Sequence, residues 1–292
     1  MEPIPLYVRV LGILLAAIVS PLLVASVFAG TLRAAQISAE IHRTASYSVG
    51  TAPKLHVEAQ FGGVVIERGE PGRIDVVDDH GTASITRAGA ASLAAQMNVT
   101  ISQHADVLEV RQFSPIFHLT QLNRHSTLTV RVPAQTDLEV SCLGDVDVQG
   151  VDGNARISTN VGHATLRNSS LRGASTITTR LGDIRAEAVS VSGNTKLSTG
   201  TGSIVFNGAL APGGTSLDIS SGAGGVEITL PYQTDARASV ASQEGNLHSD
   251  PVWHFTAEQG VSPRRWVADL VPSPTGSINV TASFGDIKFS AR

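Results

Sequence analysis

Basic charge, aromatic rings, thiols and catalytic signatures are all scarce in this chain. Its 292 residues carry 21 Lys and Arg against 25 Asp and Glu, a formal net charge of −4. Without a basic field nothing recruits a phosphate backbone, so nucleic acid is excluded as a partner. Cys142 is the only cysteine, which rules out an internal disulfide and any thiol-rich metal site, and it reads as a small buried hydrophobe. Every GxG-like match belongs to the repeat described below rather than to a strand-to-helix turn, so no phosphate-cradling loop is expected. The sequence assigns no catalytic residue, no metal and no cofactor.

What is present favours strands. Glycine reaches 28 residues and 42% of the chain is hydrophobic, enough for a core, while Ser, Thr and Val dominate over helix formers. The expected class is all-β. The N-terminus differs in kind, because VLGILLAAIVSPLLVASVFAG, from Val10 to Gly30, carries no charge and matches a bilayer core in length. It reads as one transmembrane helix, a membrane anchor, with a signal peptide cut after Ala29 as the competing reading. That predicts a single-pass protein of the cell membrane, with the bulk of the chain outside the cytoplasm.

Eight glycines set a register: Gly62, Gly144, Gly162, Gly182, Gly202, Gly224, Gly245 and Gly285, with successive spacings of 82, 18, 20, 20, 22, 21 and 40. The unit is about 20 residues. Two places after each glycine stands an aliphatic residue, such as Val146, Ala164, Ile184 and Ile204. Three places before stands a small one, such as Ser141, Thr159, Thr179 and Thr199. Five places before, aliphatics recur, with Glu139 as the misfit. Period-two alternation on both sides of a glycine means two short half-buried strands joined at a corner. Stacked copies of such a coil predict a right-handed parallel β-helix, a solenoid of about 20-residue coils. An antiparallel sandwich is the alternative, and it leaves the constant register unexplained. The expected organisation is an anchor or signal segment over 1–30, a linker over 31–53 and a β-solenoid over 54–292.

Two stretches interrupt the register, near 86–124 and near 250–276. The second holds both tryptophans of the chain, Trp253 and Trp266, beside Arg265. Aromatic and arginine anchors dominate binding hot spots, so these three residues are the candidate contact for a partner, against a cap reading in which the rings cover core. Asp145, His163 and Asp183, each just after a corner glycine, should fall on consecutive coils. There they could act as acid and base on a polysaccharide, or serve simply as turn residues. The run Asp78, Asp79 and His80 reads as a solvated acidic loop.

The texture of aliphatic, small residue, glycine, Asp or Ser, aliphatic, in SCLGDVDV, TTRLGDIRAE, STGTGSIVF and ASFGDIKF, resembles the bacterial envelope family labelled putative adhesin. The resemblance covers about Lys54 to Arg292. It implies a β-helix-like fold, frequently behind an N-terminal membrane segment, and brings no catalytic residue. The expected function is a membrane-anchored, extracytoplasmic, non-catalytic module for binding, adhesion or envelope structure, with an envelope protein or glycan as partner. The alternative is a β-helix polysaccharide lyase or hydrolase using the stacked Asp and His.

Overall fold

The computed structural model describes residues 37–84, 86–113, 124–259 and 263–292. Among these, strands account for nearly all regular structure, and the single helix is the nine-residue Arg87–Ala95. Ser, Thr and β-branched residues alternating in and out leave each strand with one apolar face. These faces close on one core running the length of the molecule.

Parallel pairing brings like residues into rows. Val110, Val57, Val140, Ile157, Ile177, Leu197, Ile219, Val280 and Val240 are successive Cα partners across nine neighbouring strands, and all are buried. A second row runs through Val64, Val146, Ala164, Ile184, Ile204, Val226 and Ile287. Each fully buried Val, Leu or Ile contributes about 1.5–3 kcal/mol of transfer free energy, so the rows are a substantial part of the core's stabilisation.

Between the two rows the chain turns at the glycines. Gly162, Gly182, Gly202 and Gly224 have φ of 152°, 146°, 146° and 139°, and a Cβ on Gly182 would collide with the Gly162 carbonyl. Only glycine lets successive corners approach this closely. The small inner residues satisfy the exposed corner carbonyls. Thr159 Oγ1 donates to Gly162 O at 3.1 Å, Thr179 and Thr199 both donate to Gly182 O at 2.8 Å, and Ser221 bridges Gly202 O and Gly224 O at 3.1 Å each. At the Gly144 corner the register slips by one residue. Cys142, not Ser141, partners Thr159, its thiol reaching Gly62 O at 3.5 Å. Glu139 therefore points outward to Lys54 at 2.7 Å, which explains its misfit.

The expected architecture requires correction. A right-handed parallel β-helix stacks coils in chain order; here the 23 strands of the described residues join in one sheet that curls, barrel-like, nearly closed around the core, and stack order departs from chain order at both ends. Gly276–Phe284 inserts between Ser216–Ala223 and Ala236–Glu244. Lys54–Ala59 likewise lies between Val107–Phe113 and Asp137–Cys142, strands much later in the chain. Antiparallel pairings finish both ends: Ile37–Ser48 on Arg73–Ser84, Arg73–Ser84 on Arg124–Val132, Asn98–His104 on Val107–Phe113, and Arg264–Asp269 on Ala236–Glu244. The two long glycine spacings, read as multiples of the repeat, are excursions that return to a different neighbour. The strand Ile37–Ser48 falls within the stretch read as linker.

The expected single-pass membrane location is corrected as well. Among the described residues no helix is long and apolar enough to cross a membrane. The segment Val10–Gly30, on which the transmembrane helix was expected, lies outside the described residues.

Candidate functional site

The glycine corners bring together the residues with most chemistry. Asp145, His163 and Asp183 stand on successive layers, as their spacing predicts, and with Asp147, Thr165 and Arg185 they line an open depression of about 400 Å³. One polar atom of each is already engaged. Asp145 Oδ1 accepts the His163 backbone N–H at 2.7 Å, His163 Nδ1 accepts the Asp183 N–H at 3.0 Å, and Asp183 Oδ1 accepts the Ser203 N–H at 2.7 Å. Asp286 repeats the pattern with the Asn246 N–H at 2.8 Å. Turn chemistry was expected to tie each side chain to its own backbone; instead each clamps the neighbouring layer. Beside this ladder Arg167 pairs with Asp147 at 2.7 Å and with Glu187 at 3.6 Å, across layers on both sides. No group of three His, Cys, Asp or Glu able to hold a metal occurs among the described residues.

The corner also presents a surface that composition did not reveal. Immediately before the glycines, Leu143, Val161, Leu181, Thr201, Ala223 and Phe284 fall in line on six neighbouring layers. Val161 is 60% exposed, Leu181 48% and Phe284 52%. At the strand spacing of roughly 4.8 Å this makes a ridge about 24 Å long. The signal was available in the sequence as a mostly apolar column at the place preceding the register glycines, broken by Thr201 and Glu244.

The three residues singled out in the second interruption sit apart from one another in environment. Trp253 is buried, its ring edge-on to Phe289 with centroids 5.9 Å apart, and Phe255 approaches the same ring at 5.3 Å. Trp266 is half-buried against the core, opposite Val240. Arg265 points to solvent and lies 3.8 Å from Glu258. Trp253 thus has the geometry of a cap on the last layer. The run Asp78, Asp79 and His80 is not a loop. It belongs to the strand Arg73–Ser84, with Asp78 and His80 turned inward and buried and Asp79 outward.

The titrating groups with resolved shifts are structural. The Thr275 hydroxyl and backbone N–H hold the Asp235 carboxyl below its ordinary value. The Ser46 hydroxyl, followed by Arg73, does the same for Asp75. Burial pushes the Cys142 thiol up.

No family model matches the chain, and no curated protein matches its sequence. Among solved structures it is similar to a putative cell adhesion protein from Clostridium sporogenes ATCC 15579, at 10% identity over 86% of this chain and 100% of that one, with a TM-score of 0.39. It is also similar to a putative adhesin from Bacteroides fragilis NCTC 9343, at 11% identity over 85% and 97% with a TM-score of 0.33. A third is a putative lipid binding protein from Parabacteroides distasonis ATCC 8503, at 10% identity over 85% and 96% with a TM-score of 0.28. These neighbours are putative adhesion proteins and a putative lipid binding protein, all at low identity. Overlap this slight transfers neither their topology nor their function.

Proposed function

We propose that the protein is a non-catalytic binding module that recognises an envelope protein along the apolar ridge Leu143–Val161–Leu181–Thr201–Ala223–Phe284. The observation that carries this reading is the exposure of that ridge. A line of apolar side chains on five of six layers, with Val161, Leu181 and Phe284 about half exposed or more, is unfavourable in water unless a partner covers it, and exposed apolar surface of this kind marks interaction sites. A polypeptide with its own apolar strip fits a ridge of this length better than a sugar does, since flat aromatic platforms for sugar rings are missing from its middle.

The non-catalytic part of the reading is supported by the corner ladder. Asp145, His163 and Asp183 each hold a backbone N–H of the next layer. Enlisting those same atoms as acid and base would release bonds that fix the corners. The shared repeat texture with putative adhesins points the same way.

The test is binding of the chain to envelope preparations, comparing the wild type with the double variant Val161→Asp, Leu181→Asp. Both positions are exposed, so melting temperature should hold while binding falls at least tenfold. Prior protease treatment of the preparation should abolish binding, and periodate oxidation should not. Wild-type binding by the double variant would overturn the ridge, and loss on periodate treatment alone would make the partner a glycan.

A further inference from the structure

A second pocket lies far from the ridge in the fold, at the N-terminal end of the stack, and it is independent of the proposed function. The antiparallel ribbon of Ile37–Ser48 and Arg73–Ser84 faces the strand Asn98–His104 there. The pocket between them measures about 390 Å³ and is lined by Arg43, Thr44, Ala45, Val76, Asp78, Val99 and Ile101. Its walls are therefore aliphatic, apart from one carboxylate, one guanidinium and one hydroxyl.

The carboxylate is the unusual element. Asp78 is only 3% exposed, and its one neighbour with a hydrogen to give is His80, whose Nδ1 lies 2.9 Å from Oδ1 and 2.8 Å from Oδ2. A single ring N–H serves one of these oxygens. Oδ2 is left without a hydrogen-bond donor among the described residues, and so is the far ring nitrogen, His80 Nε2. Within the buried pair, Asp78 Oδ2 is thus short of a donor. A buried carboxylate oxygen without a donor is unfavourable, so the site is complementary to a group that brings N–H donors, and the carboxylate favours one that is positively charged.

Arg43 supplies the second half of the argument. It is the Cα partner of Asp78 across the ribbon, so the two side chains leave neighbouring strands on the same face, with Cβ atoms roughly 5 Å apart. Yet Arg43 forms no ion pair among the described residues and lines the same pocket. An acid and a base held side by side but unpaired, over a floor of Val76, Val99 and Ile101, match the three groups of one small molecule: an ammonium, a carboxylate one carbon away, and an aliphatic side chain. The volume falls within the range of small-ligand pockets, about 300–1,000 Å³.

We infer that this pocket binds an aliphatic α-amino acid, its ammonium on Asp78 Oδ2, its carboxylate on Arg43, and its side chain against Val76, Val99 and Ile101. The same chemistry could arrive as the free amino acid or as the amino-terminal residue of a peptide, and only the former presents the carboxylate to Arg43.

The experiment is calorimetric titration of the full chain with leucine, isoamylamine, isocaproate and leucyl-glycine, with melting temperature followed in parallel. Leucine should bind and raise the melting temperature, isoamylamine should bind about tenfold more weakly, and isocaproate should not bind. Asp78→Asn, which keeps the shape of the side chain, should abolish binding of both amines. Arg43→Gln should reduce leucine to the level of isoamylamine and leave isoamylamine unchanged. Val99→Phe, which fills the pocket from a half-buried position, guards against a folding defect in the Asp78 variant: it should fold and not bind. Leucyl-glycine binding as tightly as leucine in the wild type would assign the site to peptide ends rather than to the free amino acid. Isocaproate binding equal to leucine, retained binding by Asp78→Asn, or no binding of leucine at millimolar concentration would each overturn the assignment.

Discussion

Substituting Gly182 by Ala tests whether close approach, and not merely an unusual backbone angle, holds the corners together. Gly182 has φ of 146°, and an added Cβ would meet the Gly162 carbonyl of the layer beneath. Gly213 provides the control, because its φ is also positive, at 97°, but nothing lies within 4 Å of where its Cβ would go. Holding alanine at such an angle costs about 1–3 kcal/mol, while the stiffer unfolded chain returns about 0.4–1 kcal/mol. Gly213→Ala should therefore destabilise by roughly 0.5–2 kcal/mol. Gly182→Ala carries the same two contributions plus the displacement of one layer against the next, about 1–3 kcal/mol for overpacking, giving roughly 1.5–5 kcal/mol. At ~2–4 °C per kcal/mol for a domain of this general size, the two variants should melt several degrees apart. Calorimetry of both, with urea unfolding as a second measure, reads the difference directly. If Gly182→Ala melts together with Gly213→Ala, strain alone accounts for the corner glycines and the close stacking of layers is not what selects them.

Trp253→Ala should lower stability by about 3–5 kcal/mol, since the ring is buried edge-on to Phe289; a wild-type melting temperature would return Trp253 to the surface. Iodoacetamide should modify Cys142 only after denaturant is added, because burial both shields the thiol and raises its pKa; rapid native labelling at neutral pH would contradict this. For Asp235 the folded pKa is depressed by the Thr275 hydroxyl and N–H, so its stabilisation is present above the ordinary value of 3.8 and disappears as pH falls through the lower folded value. Asp235→Asn should flatten the acid limb of the melting-temperature profile, and an unchanged limb would show that the Thr275 contacts do not form in solution.

What could be read from the residues and what could not divide along a physical line. Gly162, Gly182 and Gly202 announce their corners because the constraint is local: a positive φ and a neighbour too close for a Cβ recur every 20 residues, and each recurrence leaves a glycine. Ile177, Leu197 and Ile219 follow from the same period. Even Glu139 was informative as a misfit, since a one-residue slip at Cys142 is the only local way to turn it outward. The order of the layers is another matter. A period records how far the chain travels around the core, but the strand Gly276–Phe284 bears the same alternation whichever neighbours it meets, and its place between Ser216–Ala223 and Ala236–Glu244 depends on which sheet edge the intervening excursion leaves open. Local patterning is equally silent about Asp78 and His80. Their alternation puts them on the inward face with Val76 and Ile74, yet charge favours the outward reading, and only tertiary packing decides between them. The ridge went unseen for the converse reason. Burial explains an apolar residue so readily that a column of them beside the glycines passes as core, and its exposure emerges only when both flanking positions are already committed, one to the hydroxyl ladder inside and the other to the Asp and His clamps outside. A position left over after core and corner are satisfied is free to be selected by something beyond the chain, and in this molecule that leftover position is apolar on five of six neighbouring layers, Thr201 being the exception.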